Sequence, residues 1–149
     1  MSATNVDYAA RMTLRKMGLS EDLLVGKGLK VKIVEVTLAA LNVLATAANM
    51  IPAGAIPLGV SSIVLVPVVT SAASNTYNVG VGADDNAFGA LIAGALGTQS
   101  DLSDHTVSPL GLWGAAAQDV IVDAPGVETF TSGSVKLRLT YLEVVAPSA

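Results

Sequence analysis

Residues 60–69 read Val60-Ser61-Ser62-Ile63-Val64-Leu65-Val66-Pro67-Val68-Val69, a run with apolar side chains at both odd and even positions. β-Branched residues in such a run favour a strand. A strand on the outside of a two-layer sheet alternates apolar and polar residues. This one does not, so it is expected to be covered on both sides, by a second layer or by a neighbouring subunit. Pro67 cannot donate a ladder hydrogen bond, which assigns the end of the run to an edge or a bulge.

The rest of the body has the same β character. Residues 133–145 alternate cleanly, with Val135, Leu137, Leu139 and Tyr141 inward and Lys136, Arg138 and Thr140 outward. Residues 76–81 place Tyr77, Val79 and Val81 on one face, and residues 119–123 form a short strand closed by Pro125 and Gly126. From Lys30 the period is also two, but the apolar parity changes from Val31 and Ile33 to Val34, Val36 and Leu38, which predicts a β-bulge near Ile33 and Val34. Residues 39–50 suit either a helix or a strand. Phe88, Leu91, Ile92 and Leu96 have helical spacing, so a helix of one or two turns is expected over residues 87–94, capped by Asp85 or Asn86. Residues 98–109 read as a loop. The sum is a mostly β chain with an antiparallel β-sandwich or jelly-roll-like body.

Ahead of that body, residues 5–17 read as a short helix with Asn5 as N-cap and Gly18 as stop, and residues 20–24 as a further helical turn. Gly26 and Gly28 mark a junction. The 149 residues therefore divide into an N-terminal helical docking arm, residues 1–29, and a β-sandwich domain, residues 30–149.

Composition says what the body does with its surface. Hydrophobic residues make up 52% of the chain and charged residues 13%, against roughly 25% charged in typical soluble domains. Apolar surface in excess of what a monomer can bury belongs in a subunit interface. A homo-oligomer is expected. The formal net charge of -4 argues against nucleic acid as partner, although Arg11, Arg15, Lys16, Lys27, Lys30 and Lys32 gather in the first quarter as a basic arm before an acidic body. Partner contact is thus expected at Arg11, Arg15 and Lys16 in the arm and at Val60, Val64, Val66 and Val68 in the doubly apolar strand. The N-terminus has no basic start followed by an apolar run, so export is not expected. The apolar stretch 38–69 is broken by Pro52, Pro57, Pro67, Gly54 and Gly59 and is read as strands and turns, not as a membrane span.

Little in the sequence suggests chemistry. Cysteine is absent. The lone histidine, His105, lies among Ser103, Asp101 and Asp104, but residues so close on one loop rarely converge as a nucleophile, base and orienting acid. Asp84, Asp85 and Asn86 lack the ligand spacing of a calcium loop, and the glycines before them do not match a phosphate loop. Phe88 and Trp113 are read as core anchors. No catalytic residue, metal or cofactor is assigned, and the chain is not expected to be an enzyme.

Ile51-Pro52-Ala53-Gly54, Tyr77-Asn78-Val79-Gly80-Val81, Asp84-Asp85-Asn86-Ala87-Phe88-Gly89, Asp119-Val120-Ile121-Val122 and the stretch from Phe130 through Tyr141 resemble, in order and spacing, a module of tailed-bacteriophage virion proteins. That family includes tail-fibre-associated and head-decoration chains. The resemblance implies a β-sandwich on the virion without chemistry. The short chain favours a capsid decoration, or cement, subunit on the head surface, made in the host cytoplasm and bound to the major capsid protein or other virion proteins. The basic arm would then touch the lattice, and the doubly apolar strand would form a trimer-like contact. The alternative is a tail-associated receptor- or glycan-binding module using the loops around Trp113 and His105.

Overall fold

A computed structural model describes residues 28–108 and 114–143. The helix expected in the docking arm, with Arg11, Arg15 and Lys16, lies outside the described residues, as does Trp113, while Leu29, the last residue assigned to the arm, begins the first strand.

Eight strands follow in order: β1 (Leu29–Thr37), β2 (Leu44–Ile51), β3 (Ile56–Thr70), β4 (Thr76–Val81), β5 (Asp84–Ala93), β6 (Gln99–Ser100), β7 (Gln118–Asp123) and β8 (Phe130–Leu142). The antiparallel pairs β1 with β8, β2 with β7, β3 with β6 and β4 with β5 describe a long ribbon folded back on itself. Rolling the ribbon pairs β3 with β8 and β4 with β7, which gives two four-stranded sheets, β1-β8-β3-β6 and β2-β7-β4-β5. This strand order is that of a jelly roll, so the β-sandwich expected from the sequence is the fold.

The core lies between the sheets. Val135, Leu137 and Leu139 of β8 and Val60, Val64 and Val68 of β3 face Tyr77, Val79, Phe88, Val120 and Val122 of the other sheet, all buried. The alternation of β8 is the one read from the sequence. The core also holds polar groups, because Ser62 Oγ lies 2.8 Å from Tyr77 Oη and 2.7 Å from Ser100 Oγ. These bonds tie β3 and β6 to β4 across the layers. Burial, chiefly, raises the Tyr77 phenol above its ordinary value; the nearby Asp104 charge adds to this and the Ser62 bond opposes it.

Several expectations need correction. The bulge near Ile33 and Val34 is absent, because β1 pairs with β8 without a break from Leu29 opposite Leu142 to Thr37 opposite Ser134. Val34 and Val36 turn inward along that unbroken strand, while Leu29, Val31 and Ile33 stay on the outer face at 36%, 48% and 59% exposure. The helix expected over residues 87–94 is strand β5, and no cap is formed by Asp85 or Asn86. Residues 44–51 resolve as strand rather than helix, and the loop at 98–109 contains β6 and a single 3-10 turn, Leu102–Asp104. Within this chain the β3 run meets the core on one face, and on the other Ser61, Ile63 and Leu65 are half-buried and Val66 is 49% exposed, the face for which the sequence left cover by a neighbouring subunit as one alternative. The register shifts on both sides of Val66 agree with a proline-marked irregularity.

Candidate docking surface

The outer face of the β1-β8-β3-β6 sheet is the feature that core packing leaves unexplained. Cross-strand pairing sets its side chains in rows. Val31 lies opposite Thr140, Ile33 opposite Arg138 and Glu35 opposite Lys136; on the far side of β8, Arg138 lies opposite Ser61 and Lys136 opposite Ile63. Aliphatic and cationic side chains therefore share one surface. Glu35 accepts a hydrogen bond from Ser134 Oγ at 3.0 Å. Neither Lys136 nor Arg138 meets an ion-pair or hydrogen-bond partner among the described residues.

The face is concave because a turn folds over its end. Asp101 caps the turn by accepting from Ser103 N at 2.7 Å, while Asp104 Oδ2 accepts from Asp101 N at 2.8 Å. The Ser103 hydroxyl, donating to Asp101 Oδ1 at 2.6 Å, and then the Ser103 N–H hold the Asp101 carboxyl below its ordinary value. His105 fastens the turn to β3: Nε2 accepts the Val60 N–H at 3.2 Å and Nδ1 lies 3.0 Å from the Asp101 carbonyl oxygen. With Nε2 accepting, Nδ1 is the nitrogen that carries the proton and donates to Asp101 O. The ring also meets Phe88 edge-on, with centroids 5.3 Å apart. Leu102 then lies against Gly59, where a Cβ would collide with its side chain. The result is a cavity of about 510 Å³ bounded by Leu29, Leu58, Leu102, Arg138 and Thr140. It adjoins a second of about 330 Å³ that reaches Ile33, Ile63 and Lys136 and shares Ser61, Asp101 and Arg138 with the first. Together they make a groove with apolar walls, lined by the cations Arg138 and Lys136 and by one carboxylate, Asp101, whose Oδ1 is already engaged by Ser103.

The two sheets differ in charge. Every Lys and Arg among the described residues, Lys30, Lys32, Lys136 and Arg138, lies on β1 or β8. Charged residues on the strands of the opposite sheet are all acidic: Asp84 and Asp85 on β5, Asp119 and Asp123 on β7. Asp123 is raised above its ordinary value, first by partial burial and then by the Asp85 charge.

Of the residues expected to make partner contacts, Val60, Val64 and Val68 point into the core at 1–2% exposure and Val66 faces outward. The groove does not bring these four together. Sequence reading placed Lys136 and Arg138 outward but missed that Leu29, Val31 and Ile33 share the same exposed face. On β1 the unbroken period of two was the signal, because it carries Leu29, Val31 and Ile33 to the outer side, beside the outward Lys136 and Arg138 of β8. His105 has both ring nitrogens engaged by backbone groups, so the structure gives it the role of a brace. Phe88 is a core anchor at 0% exposure.

Fold and surface together define an antiparallel jelly roll with one outer face partly apolar and cationic. No protein-family model matches the chain, and no curated protein matches it. Among solved structures, a chain of the cyanophage Pam1 capsid asymmetric unit is similar with a TM-score of 0.49 and 21% identity, covering 78% of this chain and 87% of that one. A likeness at that level carries no argument about function. Among the described residues no helix is long and apolar enough to cross a membrane, and no three His, Cys, Asp or Glu side chains gather as metal ligands.

Proposed function

We propose that this chain is a structural protein of a tailed-phage particle, a decoration or cement subunit on the head surface that binds the capsid lattice. The observation that carries the packing role is the outer face of the β1-β8-β3-β6 sheet, where Val31 and Ile33 stay exposed beside Lys136 and Arg138, whose side chains have no partner among the described residues. An apolar surface of this kind, cut by cations, is suited to burial against other protein. The viral assignment rests on the resemblance of residues 51–141 to tailed-phage virion proteins. The jelly roll is common in capsid and lectin domains alike, and a fold does not choose its own function.

Attachment runs through Arg11, Arg15 and Lys16 of the arm, with the major capsid protein as partner. A subunit that binds only the assembled shell stabilises it by mass action. Purified chain added to particles lacking it is expected to co-sediment to a saturable level, and Arg15→Glu with Lys16→Glu is expected to lower that level. A chain that never co-sediments with particles overturns the reading. The tail-module alternative relied on Trp113, which lies outside the described residues, and on His105, which acts as a brace, so no observation favours it.

A further inference from the structure

Resting on the reading of the chain as a packing subunit, we propose that the groove on the β1-β8-β3-β6 sheet receives the acidic β4–β5 turn of a second copy, so that copies join head to tail. The groove offers Arg138 and Lys136 without partners among the described residues, between apolar walls from Leu29 and Leu102. The opposite sheet offers the complement. The carboxylates of Asp84, Asp85 and Asp123 also lack an ion-pair or hydrogen-bond partner among the described residues, and no cation shares their strands.

The turn is open to solvent. A Cβ on Gly80 would meet the backbone of Asp84 and Asp85, which crosses directly over it. Beside that crossing Asp85 is exposed and Asp84 half-buried. At the tip Gly82 and Ala83 are exposed, and a Cβ added to Gly82 would meet nothing within 4 Å.

Contact through the face is favoured over pairing at the edge of β1 that no described strand pairs. Lys30 and Lys32 lie on the inward parity of that strand, where Lys32 Nζ donates to the Asn49 carbonyl at 2.9 Å and Lys30 lies 3.9 Å from Glu143. Inward-pointing charges on an edge strand oppose strand addition. Groove and turn lie on opposite sheets, so the contact is heterologous and propagates as a ring or a chain of copies.

The test uses the full-length chain alone in sedimentation-velocity runs at low salt, with Lys136→Glu/Arg138→Glu as one variant and Asp84→Lys/Asp85→Lys as the other. The wild type is expected to self-associate and to weaken in 1 M salt, where screening shortens to roughly 3 Å. Each variant places like charges across the contact and is expected to weaken association on the order of a hundredfold. Mixing the two variants is expected to restore it, since each groove then meets a turn of opposite charge. A wild type that stays monomeric, a mixture that stays dissociated, or an effect confined to the groove variant overturns the proposal. Unchanged circular dichroism confirms that both variants fold, the substituted side chains lying outside the core. Co-sedimentation with particles reads the structural role separately, because a chain that decorates as a monomer keeps that role and loses this one.

Discussion

The two sheets enclose one core, yet their outer faces are built differently. The outer face of the β1-β8-β3-β6 sheet presents aliphatic residues beside Lys136 and Arg138, while the β2-β7-β4-β5 sheet carries carboxylates and, among the described residues, no cation. Packing between the layers requires neither arrangement. Inner faces are set by the core, so the contrast outside is where function can be read. The contrast also separates effects on stability from effects on assembly, and substitutions on the two faces of one strand measure them independently.

The largest effect is expected on the inner face of β8. Leu139→Ala removes a fully buried side chain and should cost about 2–5 kcal/mol through lost burial and a residual cavity. Next to it on the same strand, Arg138→Ala should stay within about 0.5 kcal/mol because the side chain is exposed. Urea midpoints at constant m-value compare the two. Equal losses would break the division between a core face and a contact face.

The polar tie between the sheets comes next. Ser62→Ala leaves both the Tyr77 and Ser100 hydroxyls unpaired in the core, and a cost of about 1–3 kcal/mol is expected. Tyr77→Phe leaves Ser62 bonded to Ser100 and should cost less. A larger loss for Tyr77→Phe would mean that this tie does not run through Ser62. His105→Ala should follow at about 1 kcal/mol, with faster exchange of the Val60 amide that now donates to Nε2. If that exchange rate is unchanged, the brace on the groove wall lies elsewhere.

How far these features could be read from the sequence depends on what each strand faces. β8 was legible because alternation and burial coincide on it; β4 was legible as a strand with Tyr77, Val79 and Val81 inward, although Asn78 and Gly80 between them are buried as well. β1 was misread because Val31 and Ile33, outward on a surface suited to contact, look like core residues to a rule that sends apolar side chains inward. The supposed bulge was that surface seen through the rule. β5 failed for another reason. Phe88 and Ile92 are four residues apart, a separation that keeps side chains on one side in a helix and in a strand alike. Leu91, which tipped the reading to a helix, is 63% exposed, with a backbone φ of 50° and its N–H bonded to Asn78 Oδ1 at 2.8 Å. The groove itself was not legible, since it depends on β3, β8 and the His105 turn meeting across long stretches of chain.

The smallest effect bears on the acidic sheet. Asp123 is raised by partial burial and by the Asp85 charge, so the folded state holds its proton more tightly than the unfolded chain does. The sign follows from linkage: stability falls as pH rises from the ordinary carboxylate value through the raised one, and the penalty is in full force at neutral pH. Asp123→Asn removes that penalty and is expected to stabilise the monomer by roughly a few tenths of a kcal/mol at pH 7, a gain that disappears in acid. The same change takes one negative charge from the face proposed to enter the groove, so self-association should weaken modestly as the fold strengthens. Melting temperature and sedimentation, measured on one sample at pH 7 and again in acid, should therefore move in opposite directions at pH 7. If both rise together, the like charges on this sheet strain the fold without serving a contact.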